Sequence, residues 1–566
     1  MKKKLGFLLF FCTMVCLSAQ VATDIFDPFY DDASIWENTG LISDTPLMRP
    51  YPLQTIKNIL QTVIEKGDAT QQKLAMDYYK RFFNRPVHVG AKTEFGAKIP
   101  HKKQKRETFI DIIPTLDINY GLNNILSISG KFLVHLTNKE AQEEPLPLFQ
   151  YSKRDLMPDN VKAGKLSILP VFNSNISVGN TEYYFTAGIQ RNSFAPFFDT
   201  GIFLTEQAPH QGTFNFTINK KHWAFTHSVL MLTATNDFGG TRNPGKFLSL
   251  HALMGRPLPW LSFGIVDSVV YGGRFEPIYL LPFSAFFMSQ GLYAFPDNSL
   301  IGLFFTVKPI KGLRIDGAVY ADDIGFNEIV KFKKDAKWRM SGEFGVSYTM
   351  PHSHWFRLAD LNYTFIMPYT YTHYEGFDSN AANYQNYTHN GVPLGTNLDP
   401  NSDRLQLKLQ FRPLQGFDIT FVNNFIRHAN ITESITDMSI LTQYLSQNYT
   451  TDGSTFNHAT VPSKHAFLEE TPFMKQKTIQ YINQTGLELG YRFPIKRSGG
   501  YAAFKFNYLV EVNINPRVRQ NIYKKMPHIK SEEIQAAADQ QLAEWRKNAK
   551  GKDVTQHIRL SAEFAY

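Results

Sequence analysis

The sequence predicts a mainly-β protein: a transmembrane, antiparallel outer-membrane β-barrel of about 18 strands with a small N-terminal periplasmic helical bundle. Three observations predict it. The chain opens on an export leader. Beyond residue 86, apolar residues recur with a period of two in runs of about ten. Short and long connections between those runs alternate strictly.

Composition sets the frame. The 566 residues are 43% hydrophobic, 14% aromatic and 19% charged. That is too polar for a helical membrane protein and too apolar for a disordered chain. The formal charge is +9, of which Lys2, Lys3 and Lys4 supply three. The remainder is scattered, no recognition helix is evident, and no nucleic-acid partner is expected.

Residues 1–19 read as a signal peptide. Met1 to Lys4 is its positive start, Leu5 to Leu17 its apolar stretch, and Ser18 and Ala19 its small cleavage residues. Both cysteines, Cys12 and Cys16, lie within it. The remaining chain is therefore expected to lack disulfides, thiol chemistry and cysteine-ligated metal. No later run of eighteen apolar residues exists, so no transmembrane helix is expected.

Residues 20–86 are expected to form the periplasmic helical domain. A first short helix covers Pro28 to Asn38. Leu53, Ile56, Ile59, Leu60, Val63 and Ile64 recur at helical spacing until Gly67. Leu74, Ala75, Tyr78, Tyr79 and Phe82 form another stripe, ended by Asn84 and Pro86.

Residues 87–566 are expected to form the barrel. Leu126, Ile128, Phe132, Val134 and Leu136 alternate with mostly polar neighbours. At the end, Ile558, Leu560, Ala562, Phe564 and Tyr566 alternate with His557, Arg559, Ser561, Glu563 and Ala565. A soluble sandwich also alternates. Run length, aromatic content, the leader and the aromatic terminal strand favour the barrel. That strand, ending on Tyr566, suits the outer-membrane barrel assembly machinery as a partner, with outer-membrane lipid as the other; a monomer is expected.

Short connections fall at Asn123-Asn124, Gly179-Asn180, Lys220-Lys221, 257–260, 309–312, 351–354, 413–416 and 494–500. Between them lie long polar and aromatic connections at 138–160, 191–212, 237–245, 273–298, 322–337, 368–403 and 429–478, with 515–553 after the last. Short turns belong in the periplasm and long loops outside. The strand tally is about eighteen, a count informed by the resemblance that follows.

Several segments carry that resemblance: DASIWENTGLISDTPLMRPYPLQTIKNIL (32–60), GIQRNSFAPFFDTGIFLTEQAPHQG (188–212), YGGRFEPIYLLPFSAFFMSQ (271–290), DNSLIGLFFTVKPIKGLRIDGAVYADDIGF (297–326) and GVPLGTNLDPNSDRLQLKL (391–409). In order and spacing the chain resembles the capsule assembly Wzi family of outer-membrane barrels. Where that family carries Gly-Arg…Trp-Gly and then Leu-Ser-Asp-x-Ala-Pro, Arg191, Phe194, Leu204, Glu206, Ala208 and Pro209 stand here. The tryptophan is Phe194 and the neighbouring glycines are absent. The resemblance implies an eighteen-stranded barrel, a periplasmic helical bundle, and lectin-like association with capsular or related surface polysaccharide.

Catalytic motifs are absent: there is no G-x-S-x-G, H-E-x-x-H, P-loop or G-x-G-x-x-G. His352 and His354 flank Ser353 in a short turn without a third ligand nearby, so no metal or other cofactor is expected. Asp322 and Asp323 are adjacent on a strand, so only one enters any given site. No enzyme is expected.

Sugar-binding chemistry sits in the loops. Aromatic rings stack on the apolar face of a glycan, while Asp, Asn and Arg bond its hydroxyls and Arg grips carboxylates. Candidate glycan-binding residues are Arg191, Arg274, Tyr279, Asp297, Asp322, Tyr371 and Tyr374. The tyrosines suit an interfacial girdle equally well, and Arg274 and Asp297 suit an ion pair in the wall. The alternative function is a porin or hydrophobic-solute transporter. An occluded lumen favours polysaccharide binding, and a continuous path favours transport. In the last long connection, residues 531–547 are expected to form a helix capped by Ser531. Its stripe of Ile534, Ala538, Leu542 and Trp545 is to be buried over the mouth or laid on the rim.

Overall fold

The computed structural model describes residues 24–101, 105–121, 125–138, 161–236, 242–292, 297–322, 326–351, 353, 355–373, 382–447, 472–495 and 500–566. The predicted signal peptide, His352, His354, Asp323 and Tyr374 lie outside the described residues.

Eighteen long antiparallel strands close into one barrel. They are β1 (Val87–Pro100), β2 (Glu107–Gly121), β3 (Leu126–Thr137), β4 (Leu166–Gly179), β5 (Tyr183–Gln190), β6 (Gln211–Asn219), β7 (Trp223–Asn236), β8 (Arg242–Leu258) and β9 (Leu261–Gly272). The second half comprises β10 (Asn298–Ile310), β11 (Leu313–Asp322), β12 (Arg339–Tyr348), β13 (Phe356–Ile366), β14 (Ser402–Leu414), β15 (Phe417–Ala429), β16 (Ile479–Pro494), β17 (Tyr501–Ile514) and β18 (Lys552–Ala565). Closure pairs β18 with β1, with Leu560 opposite Phe95. Among the described residues the closed barrel has no edge strand, as spanning hydrocarbon requires.

The period of two becomes two surfaces. On β18, Leu560 is 48% exposed and Phe564 49% exposed on the outside. Arg559 turns inward, 3.9 Å from Glu94. Ile128, Phe132, Phe172, Phe263, Leu303 and Phe344 continue the apolar outer band. This is the surface of a membrane barrel, since no soluble protein leaves so many large apolar side chains uncovered. Leu560→Arg places a charge on that band and is expected to cost about 2–4 kcal/mol if it lies near mid-bilayer. Wild-type heat resistance of the folded variant would reverse the assignment of faces.

The N-terminal helices are α1 (Pro28–Asn38), α2 (Leu53–Lys66) and α3 (Ala69–Phe83). Asp27 caps α1, accepting from the Phe29 N–H at 2.9 Å, and Pro28 fits the first turn, where no N–H is needed. Asp68 and Gln71 form a reciprocal capping box on α3. Their apolar stripes meet around Phe29, whose ring lies edge-on to Tyr30, Trp36, Tyr78 and Phe82.

Ion pairs dock this segment on the barrel. Asp24 meets Lys131 at 2.7 Å, Glu37 meets Lys308 at 2.7 Å, and Asp32 meets Arg357 at 2.7 Å and Arg412 at 3.2 Å. The Gly312 N–H donates to Asn38 O at 2.8 Å. Lys308, Gly312, Arg357 and Arg412 all neighbour short turns, so the helices sit at that end. Burial raises the carboxyls of Asp32 and Glu37, but the cations beside them prevail and hold each at about 2.

Between α1 and α2 the chain enters the lumen. Met48 and Arg49 pair as a short strand with Phe194 and Ser193. The last helix departs from expectation: Ser531–Glu533 is one 3-10 turn, and the α-helix runs Ile534–Ala549. Ser531 is not its cap. The Lys530 N–H instead donates to Glu533 Oε2 at 3.3 Å, and a tight opening turn of this kind is common at helix starts.

Candidate functional site

Three regions bear on function: the lumen, the outer wall beside β7–β9, and the face formed by the long loops.

The lumen beside β6–β13 is filled. The connection after β5 folds inward and buries Phe194, Phe197, Ile202, Phe203 and Leu204. They pack on Leu47 and Met48 from the short-turn end and on inward wall residues such as Leu248, Phe304 and Tyr320. Phe203 lies edge-on to Phe194, Phe304 and Tyr320 with ring centroids 5.8, 6.1 and 4.9 Å apart. Gly302 makes room for it, since a Cβ there would stand 2.5 Å from the Phe203 ring.

Three sequence candidates belong to this filling. Tyr371 is fully buried and stacks on Tyr387 at 5.3 Å. Its hydroxyl donates to Ile202 O at 2.7 Å and lies 2.7 Å from Ser341 Oγ. Asp322, also fully buried, accepts from the Tyr371 N–H at 2.9 Å. That bond helps hold a left-handed backbone, with φ 69°, unusual for a tyrosine. Arg191 donates to Glu206 O at 3.0 Å and to Gln207 O at 3.4 Å, and its guanidinium lies 5.6 Å from the Phe26 ring. The Tyr371 ring is enclosed by Tyr387 and Tyr320 and presents no open face. Its loop folds into the lumen because the ring gains burial and both its polar groups find partners.

Arg274, Tyr279 and Asp297 come together as one cluster. Arg274 pairs with Asp297 and lies 3.7 Å from Glu276, while the Tyr279 hydroxyl donates to Asp297 at 2.8 Å. Tyr279 is buried against Tyr271 and Phe286 on the outer wall. Arg274 alone of the three keeps an exposed side chain, at 38%. The ion-pair alternative therefore describes Arg274 and Asp297.

At the long-loop end, the stripe of the last helix is buried. Ile534, Ala538 and Trp545 pack with Ile440, Leu441, Tyr444 and Leu445 of the helix Met438–Gln447. Tyr369 and Ile431 join them, so the helix rests on neighbouring loops, not on the outer rim. Arg546 meets Glu433 at 2.6 Å across this contact. Burial, with Asp539 nearby, pushes the Tyr523 hydroxyl up to about 12, so this ring stays neutral.

One surface was not singled out from sequence. Residues 331–338 read Lys-Phe-Lys-Lys-Asp-Ala-Lys-Trp. Phe332 is 61% exposed, and its ring centroid is 4.8 Å from that of Trp338. The Trp338 indole N–H donates to Lys333 O at 2.7 Å, which fixes the turn. The connection 515–551 adds eight Lys and Arg against four Asp and Glu. The signal in the sequence was the density of cations beside aromatics within a long connection. Among the described residues no group of three or more metal-ligating side chains is assembled.

No protein-family model matches the chain, and no curated protein matches it. Among solved structures, the chain is similar to Wzi of Escherichia coli, described as an outer membrane protein involved in group 1 capsule assembly and a carbohydrate-binding β-barrel. The TM-score is 0.53 at 11% identity, covering 96% of this chain and 99% of that one. The outer membrane protein OprD of Pseudomonas aeruginosa gives a TM-score of 0.40 at 8% identity, covering 85% and 93%. OccK10 of the same organism gives 0.40 at 9% identity, covering 85% and 98%. The first likeness extends over nearly the whole of both chains, and the fold of this chain is that of an outer-membrane β-barrel.

Proposed function

We propose that this chain is a non-catalytic outer-membrane barrel that binds or anchors an acidic surface polysaccharide on its long-loop face. The short turns and the helices α1–α3 then lie in the periplasm. The filled lumen carries this reading, because a fully packed apolar core gives a solute no path beside β6–β13. The basic aromatic turn supplies the chemistry. Phe332 and Trp338 offer ring faces to sugars, and Lys331, Lys333, Lys334 and Lys337 attract glycan carboxylates. Arg274 stays in the proposed glycan set through its exposed guanidinium. Arg191, Tyr279, Asp297, Asp322 and Tyr371 are its enclosed support. The carbohydrate binding named for the similar E. coli barrel agrees with this reading.

A second reading rests on the opposite wall. Lys92 meets Glu94 at 2.5 Å and Lys505 meets Glu488 at 3.6 Å on inward faces of β1, β16 and β17. A charged strip of this kind suits a narrow solute path.

Two measurements on the purified protein separate the readings. Binding of an acidic polysaccharide is expected to weaken about tenfold in Phe332→Ala/Trp338→Ala, the loss of about 1.4 kcal/mol. It is also expected to weaken with added salt. Unchanged affinity with a folded barrel would reject this surface. Steady single-channel conductance in planar bilayers, with no polysaccharide affinity, would favour the solute path.

A further inference from the structure

The stretch 273–292, after β9, does not stand above the rim. It turns back along the outside of the barrel. Phe283 stacks on Phe225 of β7 with ring centroids 4.8 Å apart. Phe286 lies 4.4 Å from the ring of His251 on β8, and its N–H donates to Asp267 Oδ2 on β9 at 2.9 Å. These wall residues point outward. Their inward neighbours Leu250, Val266 and Leu230 are in the lumen core. In register, Phe225 stands opposite Leu253 and Leu253 opposite Ile265, so the segment reaches seven residues down β9 from Gly272. At about 3.3 Å per residue that is roughly 20 Å along the strand.

What it covers is unusual for a lipid-facing wall. His227, His251 and Asp267 occupy one row across β7–β9, with His251 Nε2 3.5 Å from Asp267 Oδ2. In the same row, Ile301 of β10 is uncovered and 50% exposed. Imidazoles and a carboxylate at this depth are costly against hydrocarbon. The segment covers them through Phe286, whose ring lies on His251 and whose N–H meets Asp267.

Its far side is apolar. Leu281, Phe283, Phe287, Met288 and Leu292 are 57–77% exposed and continue the band that includes Leu253, Ile265 and Ile301. Irregular backbone is tolerated at membrane depth only where its polar groups are paired. Here successive turns pair them. Tyr279 N–H donates to Glu276 O, Leu281 to Ile278 O, Ser284 to Leu281 O and Ser289 to Ala285 O, at 3.2, 3.3, 3.2 and 2.9 Å. Arg274 and Asp297, which pair with each other, clasp the two ends of the connection.

We propose that residues 277–292 form a membrane-inserted flap. One face seals the His227–His251–Asp267 row, and the other lies among the acyl chains of the outer leaflet. The proposal rests on the membrane reading above. It assigns to Arg274, Tyr279 and Asp297 the work of holding the flap to the wall.

No cysteine follows Cys16, so single-cysteine variants are practicable once Cys12 and Cys16 are replaced by serine. Nitroxide labels are placed at Phe283→Cys, Phe287→Cys and Met288→Cys, with Leu253→Cys as the wall reference and Gln535→Cys as the aqueous reference. The full chain is reconstituted in phosphatidylethanolamine–phosphatidylglycerol vesicles, and only variants with wild-type heat-modifiable migration are read. The ratio of oxygen to nickel-chelate accessibility at the flap sites is expected to match Leu253 and to exceed that at Gln535 about tenfold. Flap sites that match Gln535 while Leu253 reads as lipid would overturn the flap and leave the barrel standing. An aqueous Leu253 would overturn the membrane reading itself.

Discussion

Asp32→Ala will loosen the N-terminal helices from the barrel end at a cost of about 3–5 kcal/mol, because it strands buried cations. One Asp32 oxygen faces Arg357 at 2.7 Å and Arg412 at 3.2 Å, and the other accepts the Tyr78 hydroxyl at 2.6 Å. Arg412 keeps Asp418, at 2.6 Å, whereas Arg357 is left with that carboxylate at 3.8 Å. Hydrogen exchange across residues 24–85 should accelerate while the barrel strands stay protected. Unchanged exchange would show that the apolar contacts alone hold the segment. The same groups set a pH window. Asp32 and Glu37 lie below their ordinary 3.8 and 4.5, at about 2, so their contribution is complete above pH 4.5 and fades as pH falls toward 2. Protection of these amides, corrected for the intrinsic pH dependence of exchange, should therefore be flat from neutral pH down to about 5 and fall only below it.

Phe203→Ala will lower unfolding stability by about 3–5 kcal/mol, the usual cost of emptying an aromatic site in a packed core. Phe203 is 2% exposed and sits against three other rings. Phe203→Leu keeps most of the volume and should cost less than about 2 kcal/mol. Denaturant unfolding in detergent micelles measures both. Equal, small losses would mean that the lumen filling adds little to the barrel.

Much of the architecture was legible because it follows from local periodicity. The stripe Leu53, Ile56, Leu60 and Val63 needs one buried face and becomes α2, ended at Gly67. The alternation around Leu560 needs lipid on one side and becomes the outer band. Turn residues at Asn180, Lys220-Lys221 and Lys311-Gly312 fall between strands, as their composition requires. The site was far less legible. Tyr371 and Tyr279 look alike in sequence, each an aromatic in a polar loop. One fills the lumen and the other lies on the outer wall.

The sequence by itself determined the strands, their faces, the short and long ends and the three helices, since each depends on neighbours within about a dozen residues. Only the tertiary structure decided where the long connections go. The stretch 191–210 turns inward to meet Leu47 and Met48, some 150 residues earlier in the chain. The stretch 273–292 turns outward to cover His227, His251 and Asp267. Both loops are rich in aromatic residues, and both hide part of the wall. Which surface each one hides depends on contacts across the closed barrel, and those form between residues far apart in sequence.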